Sequence, residues 1–181
     1  MNCLDCTSKD CKFSSKDCNG LQEIITAEYK ESGSVPLYEN ADKLVAGGRA
    51  GSLSRLDEII EFSKLQKYGT VGIAYCFSME KEASRVMDRL KAAGIRVQSF
   101  RCTINGIKET DVSSSMSGGV NCNPIGQAEA VNRSRSELVI EMGLCLGHDI
   151  LFHSYLKKPF TVFAVKDRVH SHNPLEALKG D

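Results

Sequence analysis

The segment that most constrains the fold is Thr70 to Tyr75 (TVGIAY), a short and almost continuous apolar run that reads as a β-strand. Ser78 follows as a helix N-cap, and Met79, Ala83, Val86, Met87 and Leu90 recur at helical spacing up to Gly94. Ile95 to Arg101 then reads as a second strand. Strand, helix and strand make a βαβ unit, whose crossover forces the two strands to run parallel and with right-handed connection. Downstream, Pro124 opens a helix over Ile125 to Asn132 with Asn123 or Cys122 near its cap, Leu138 to Met142 reads as a third strand, Asp149 to Leu156 as a helix and Phe160 to Val165 as a fourth strand. The alternation predicts a three-layer α/β fold, with a mainly parallel sheet of about four strands and flanking helices.

Upstream of that unit the pattern changes. Ser54, with Asp57 three residues on, starts a helix whose apolar face is Leu56, Ile59, Ile60 and Phe62, and Gly69 ends it. Leu21 to Tyr29 carries a weaker helical pattern, and Leu37, Ala41, Leu44 and Val45 keep the spacing of another helix before Gly47 and Gly48. These form a helical preface. The expected organisation is a cysteine-rich metal-binding segment over 1–20 and an α/β domain with its preface over 21–181.

The chain has 23 Lys and Arg against 23 Asp and Glu in 181 residues. A nucleic-acid binder would not be electrically balanced, so nucleic acid is a poor partner. The longest apolar stretches, Val71 to Phe77 and Phe160 to Val165, fall far short of the roughly 20 residues that span a bilayer. No membrane crossing is expected. Met1 to Lys16 lacks the apolar centre of a secretory signal, and the expected location is the cytoplasm.

Eight cysteines in such a chain are the first functional clue, because in a reducing compartment they serve as metal ligands or catalytic thiols more often than as disulfides. Cys3, Cys6, Cys11 and Cys18 crowd into a polar N-terminal stretch that has too few apolar side chains to fold around a core. Their spacing, C-x2-C-x4-C-x6-C, includes a pair able to grip one tetrahedral centre, and it leaves zinc and iron–sulfur nearly even. Cys76 follows the first strand, Cys102 ends the second, Cys122 starts a helix and Cys145 comes shortly after the third strand. In an open parallel sheet, ligands bind beyond the carboxyl ends of the strands. These four thiols are therefore expected at one rim, where soft thiolates select zinc, cuprous copper or an iron–sulfur cluster. The bland alternative is four unrelated buried thiols.

Beside Cys145, the run Gly143-Leu144-Cys145-Leu146-Gly147-His148-Asp149 places an imidazole and a carboxylate on a glycine-flanked turn. His148 is the candidate proton donor, and Asp149 reads as a helix-terminal residue serving free backbone donors. Ile104 to Asn121, with its Ser113-Ser114-Ser115 run and Gly118-Gly119, reads as a long loop able to cover the rim. Lys166-Asp167-Arg168 and His172-Asn173-Pro174 follow the last strand as a solvated turn or an anion-binding one. His153 and His170 have no partner legible in the sequence.

Cys122-Asn123-Pro124-Ile125-Gly126-Gln127-Ala128, the Gly143 to Asp149 run, and Lys166-Asp167-Arg168-Val169 with His172-Asn173-Pro174 resemble, in the same order, the uncharacterised cysteine-rich metal-binding protein family known as domain of unknown function family 1847. The resemblance extends from the N-terminal cysteines to Leu178, and Phe77-Ser78-Met79 departs from the small-residue turn expected after Cys76. It implies metal binding, most naturally by cysteine, and supplies no reaction.

Taken together, the expectation is a metalloprotein with one centre on Cys3, Cys6, Cys11 and Cys18. A second, read first as an iron–sulfur cluster and alternatively as zinc, sits on Cys76, Cys102, Cys122 and Cys145. As an enzyme it would carry out reductive or sulfur-transfer chemistry on a small-molecule substrate or with a redox partner protein, His148 donating a proton. The alternative is a non-catalytic zinc carrier or sensor that acts through a partner, and a metal-free thiol–disulfide protein is the third reading.

Overall fold

The computed structural model describes residues 2–179. Helices α1 (Asp10–Phe13), α2 (Gln22–Glu31) and α3 (Val35–Asp42) precede α4 (Arg55–Leu65). Then follow β1 (Thr70–Tyr75), α5 (Glu80–Ala92), β2 (Arg96–Arg101), α6 (Glu109–Val112), α7 (Pro124–Arg133), β3 (Leu138–Met142), α8 (His148–Tyr155) and β4 (Phe160–Ala164). The strands form one sheet in the order β2-β1-β3-β4, and every neighbouring pair is parallel. The α/β fold expected from the alternating pattern is the one found.

Side chains alternate across a strand, so each central strand feeds two cores. Val71, Ile73 and Tyr75 of β1 and Leu138, Ile140 and Met142 of β3 pack with Ala83, Val86 and Leu90 of α5 and Ile59 of α4. On the other face, Ala74, Phe100 and Val139 pack with Ala128 and Val131 of α7 and Phe152 of α8. Both central strands are buried along their whole length, which is why they read as apolar runs rather than as alternating ones.

Ser54 caps α4 as the sequence predicts, its hydroxyl accepting from the Asp57 N–H at 3.2 Å. Ser78 does not cap α5. A 3-10 turn over Phe77–Met79 delays the helix to Glu80, and the Ser78 hydroxyl accepts instead from Lys166 Nζ at 2.6 Å. The expected loop after β2 folds back on itself through an antiparallel bridge between Lys108 and Val120, with the Glu109 carboxylate accepting from Ser117 Oγ at 2.7 Å. Helices α1, α2 and α3 contain no buried residue; Tyr29 meets Tyr38 edge to face at 5.8 Å, and Asn40 Nδ2 donates to Leu65 O at 3.2 Å, tying α3 to the end of α4. Among the described residues no helix is long and apolar enough to cross a membrane.

Within the α7–α8 layer lies a carboxylate that the strand pattern hides. Glu141 of β3 is only 3% exposed, and its Oε2 stands 2.5 Å from His153 Nε2, while the His153 ring stacks on Phe160 at 4.3 Å. Burial pushes the Glu141 carboxyl up against the opposing pull of His153. An acid raised on folding adds stability below its unfolded value and loses that contribution as pH rises through its folded value. Glu141→Gln is therefore expected to raise the Tm of the protein at pH 8. The gain should shrink towards pH 4. A Tm comparison at both pH values checks it, and an equal shift at each would exclude the titration as its cause.

Candidate functional site

Three backbone hydrogen bonds bring distant cysteines together at the carboxyl ends of the strands. The Cys76 N–H donates to Met142 O at 3.0 Å and the Cys102 N–H to Tyr75 O at 3.0 Å, so both residues extend the parallel ladder by one step. The Asn123 N–H donates to Cys102 O at 2.6 Å, which seats Cys122 beside the end of β2. Asn123 also caps α7, its side chain accepting from the Gly126 N–H at 2.9 Å. Cys145 sits on the turn into α8, where its carbonyl accepts from the N–H groups of His148 and Asp149.

That turn needs Gly143. Its φ is +60°, a left-handed backbone that strains any side chain, and a Cβ there would come within 2.1 Å of Met79 Sδ and push that side chain aside. Asp149 serves the turn as the capping reading expects, its Oδ1 accepting from the Gly147 and Ile150 N–H groups.

Cys76, Cys102, Cys122 and Cys145 line one cavity together with Pro124, Gln127, Leu144 and His148. Its interior holds about 10 Å³ for the centre of a water-sized sphere, space for a single water or ion. Cys102 and Cys122 touch, Sγ to Sγ, at 3.7 Å. Each sulfur but one has a polar neighbour outside the thiol group. The Phe77 N–H donates to Cys102 Sγ at 3.2 Å, Arg168 Nη2 donates to Cys145 Sγ at 3.2 Å, and the Ser78 hydroxyl lies 3.4 Å from Cys76 Sγ.

The thiols differ in acidity. Burial pushes the Cys102 thiol up to about 12, helped by repulsion from Cys122 and Cys76 and only partly opposed by the Phe77 N–H. Burial also raises Cys122, with the charges of Cys145 and Cys76 adding to the effect. At Cys76, burial is outweighed by hydrogen bonds from the Ser78 hydroxyl and backbone and by the Lys166 ammonium, which together hold this thiol below its ordinary value. Cys76, unlike Cys102 and Cys122, is thus biased towards the thiolate, the nucleophilic and metal-binding form.

Among the described residues, no three His, Cys, Asp or Glu side chains already stand in the arrangement of a metal site. The four rim sulfurs surround one cavity without forming a closed coordination shell. Elsewhere after β4, Asp167 is engaged by His170 and His172 is anchored near Val165 O, so neither histidine joins the rim.

The N-terminal cysteines also share a cavity, of about 720 Å³, bordered by Lys9, Lys12 and Lys16. All four are exposed. The Cys6 thiol is lowered by the Lys9 backbone and the Ser8 hydroxyl, whereas Cys18 is raised, first by local desolvation and then by Cys11.

Sequence reading missed Gln127. Its side chain is fully buried, and its Nε2 donates to Phe100 O at 2.8 Å and Tyr75 O at 3.3 Å, tying the ends of β2 and β1 together. A glutamine in an amphipathic helix gives no sign of this, although its place four residues after an N-cap asparagine beside a cysteine puts it near the rim.

These features define a parallel α/β protein with a thiol-lined pocket at the carboxyl rim of its sheet. The chain belongs to the family described as "Protein of unknown function (DUF1847)", whose profile matches residues 13–163. The matched span includes Cys18 and all four rim cysteines. The chain is 39% identical over 183 residues to "Uncharacterized protein MJ0455" of Methanocaldococcus jannaschii, covering 98% of this chain and 93% of that one. No solved structure matches it.

Proposed function

We propose that the rim is a soft-metal centre held by thiolates of Cys76, Cys102, Cys122 and Cys145, and that it holds a single ion of the zinc type. The observation that carries this reading is the convergence of four sulfurs, from four separated stretches of chain, on one ion-sized cavity. A tetrahedral ion with metal–sulfur bonds of about 2.3 Å spaces its sulfurs about 3.8 Å apart. The Cys102–Cys122 contact of 3.7 Å agrees with that spacing. An iron–sulfur cluster, the first expectation for this site, needs room for several iron and sulfide atoms, and the small cavity favours one ion. The N–H groups of Phe77 and Arg168 aimed at sulfur are the donors that a metal thiolate accepts from.

A bare site of this kind stays open because its buried thiols are protonated, and closing the shell requires their protons to leave. His148, on the cavity wall, is the candidate proton donor to a small-molecule substrate that approaches the centre from outside the cavity. The N-terminal cysteines make a second centre, where the wide opening leaves room for an iron–sulfur cluster that a redox partner protein can reach. Cytoplasmic placement fits the reduced thiols that both centres need.

Elemental analysis and absorption spectroscopy of protein purified without oxygen test this. Metal bound at the rim as a colourless thiolate ion supports the reading, and a chromophore with acid-labile sulfide that survives removal of residues 1–20 would move the cluster to the rim. Metal-free protein whose thiol count changes with oxidant would replace the proposal by thiol–disulfide chemistry.

A further inference from the structure

Two amphipathic stripes meet at the end of the sheet opposite the cysteine rim. Arg55, Glu58, Ile59 and Phe62 fall at i, i+3, i+4 and i+7 along α4, and Leu37, Ala41 and Leu44 keep helical spacing through α3 and just past its end. Both stripes line one cavity of about 260 Å³, which the starts of β3 and β4 close from the sheet side. Helix α3 buries no residue, so its apolar stripe serves this cavity and no packed core. The space exceeds the roughly 150 Å³ that admits a benzene ring.

The polar side chains of the lining gather at the α4 N-terminal end. Arg55 Nη2 donates to Thr161 Oγ1 at 2.5 Å, and Arg55 Nη1 lies 3.4 Å from Glu58 Oε2. A guanidinium carries five N–H donors, so three have no partner among the described residues. The Arg55–Glu58 pair is long and more than half exposed on the arginine side, and such a pair costs little to open. A cation and an anion thus stand side by side in front of an apolar body. A lone carboxylate entering here meets the charge of Glu58, and a lone amine meets that of Arg55. A zwitterion satisfies both.

We propose that this cavity binds a free apolar α-amino acid of leucine or phenylalanine size. Its carboxylate takes the free fork of Arg55, its ammonium takes Glu58, and its side chain lies between Ala41 of α3 and Phe62 of α4. Both charges of an α-amino acid leave one carbon, which suits two groups 3.4 Å apart on one helix face. Apolar walls exclude amino acids with charged side chains, since nothing deeper in the cavity would pair them. No rim cysteine lines this site, so it stands whether or not the rim holds a metal.

Calorimetric titration of the full chain with L-leucine and L-phenylalanine at pH 7 tests this, with Tm measured alongside. Saturable binding of at least one of them and a Tm that rises with its concentration are expected. Glycine, leucine without its amino group and leucine without its carboxylate should each bind at least about tenfold more weakly. Arg55→Met and Glu58→Gln should each weaken binding by about tenfold or more, and Ala41→Phe, which fills the cavity from α3, should abolish it. Arg55 and Glu58 lie at the exposed start of α4, so their variants keep the test decisive if Ala41→Phe fails to fold. No saturable binding of either amino acid, equal binding of the two trimmed leucines, or Arg55 and Glu58 variants that bind as tightly as the parent would overturn the site. Metal content is unchanged in every case, so neither result bears on the rim.

Discussion

Cys76→Ser and Cys145→Ser are each expected to remove about one equivalent of metal per chain while a second, held by the N-terminal cysteines, stays bound. A serine hydroxyl remains protonated at neutral pH and is a poor ligand for a soft ion, so either substitution leaves too few thiolates to retain it. The fold should survive. Cys76 and Cys145 lie beyond the strands they follow, and Ser replaces sulfur by oxygen with little change in shape. Removing residues 1–20 should give the complementary result, because that segment contributes no residue to either core cluster. Metal analysis of the two variants beside the truncation decides the matter. Loss of both equivalents in any one of them would show that the centres share cysteines, and unchanged metal in Cys76→Ser and Cys145→Ser would exclude these residues as ligands.

Much of the fold was legible because the central strands are buried on both faces and the helices between them begin and end with ordinary signals. Thr70 to Tyr75, Leu138 to Met142, Ser54 and Asn123 each act where the pattern puts them. The rim was legible for the same reason: a residue that follows a parallel strand is delivered to one edge by topology alone, however far it lies along the chain. What stayed hidden depends on contacts that no local pattern encodes. Strand order is one case, since β3 enters beside β1 and not beside β2. Ser78 is another, because its hydroxyl is claimed by Lys166, 88 residues away, and so does not cap the helix that its position advertises. The His153 partner, Glu141, reads as an exception inside an apolar strand until the opposite helix supplies the imidazole.

The acidities at the rim extend this from position to chemistry. Burial raises Cys102 to about 12 and lifts Cys122, while Lys166 and Ser78 hold Cys76 down. The site is thus graded: one thiol is prepared to receive an ion, and two must give up protons when it arrives. A metal that enters through Cys76 meets its first thiolate next to a cation and closes its shell only by displacing protons from the deeper sulfurs.

Metal affinity should therefore rise steeply with pH. Between pH 6 and 8 both Cys102 and Cys122 are protonated in the bare protein, so binding releases at least two protons and the apparent association constant should climb about a hundredfold per pH unit. The sign follows from the acidity: acid refills the thiols and expels the ion, and base does the reverse. Competition against a chelator of known pH dependence, with zinc at several pH values and residues 1–20 removed to isolate the rim, gives the slope of log K against pH. A slope of about 2 or more is expected. A slope near zero would mean that binding displaces no thiol protons, and the ion would then have to sit elsewhere than among the rim sulfurs.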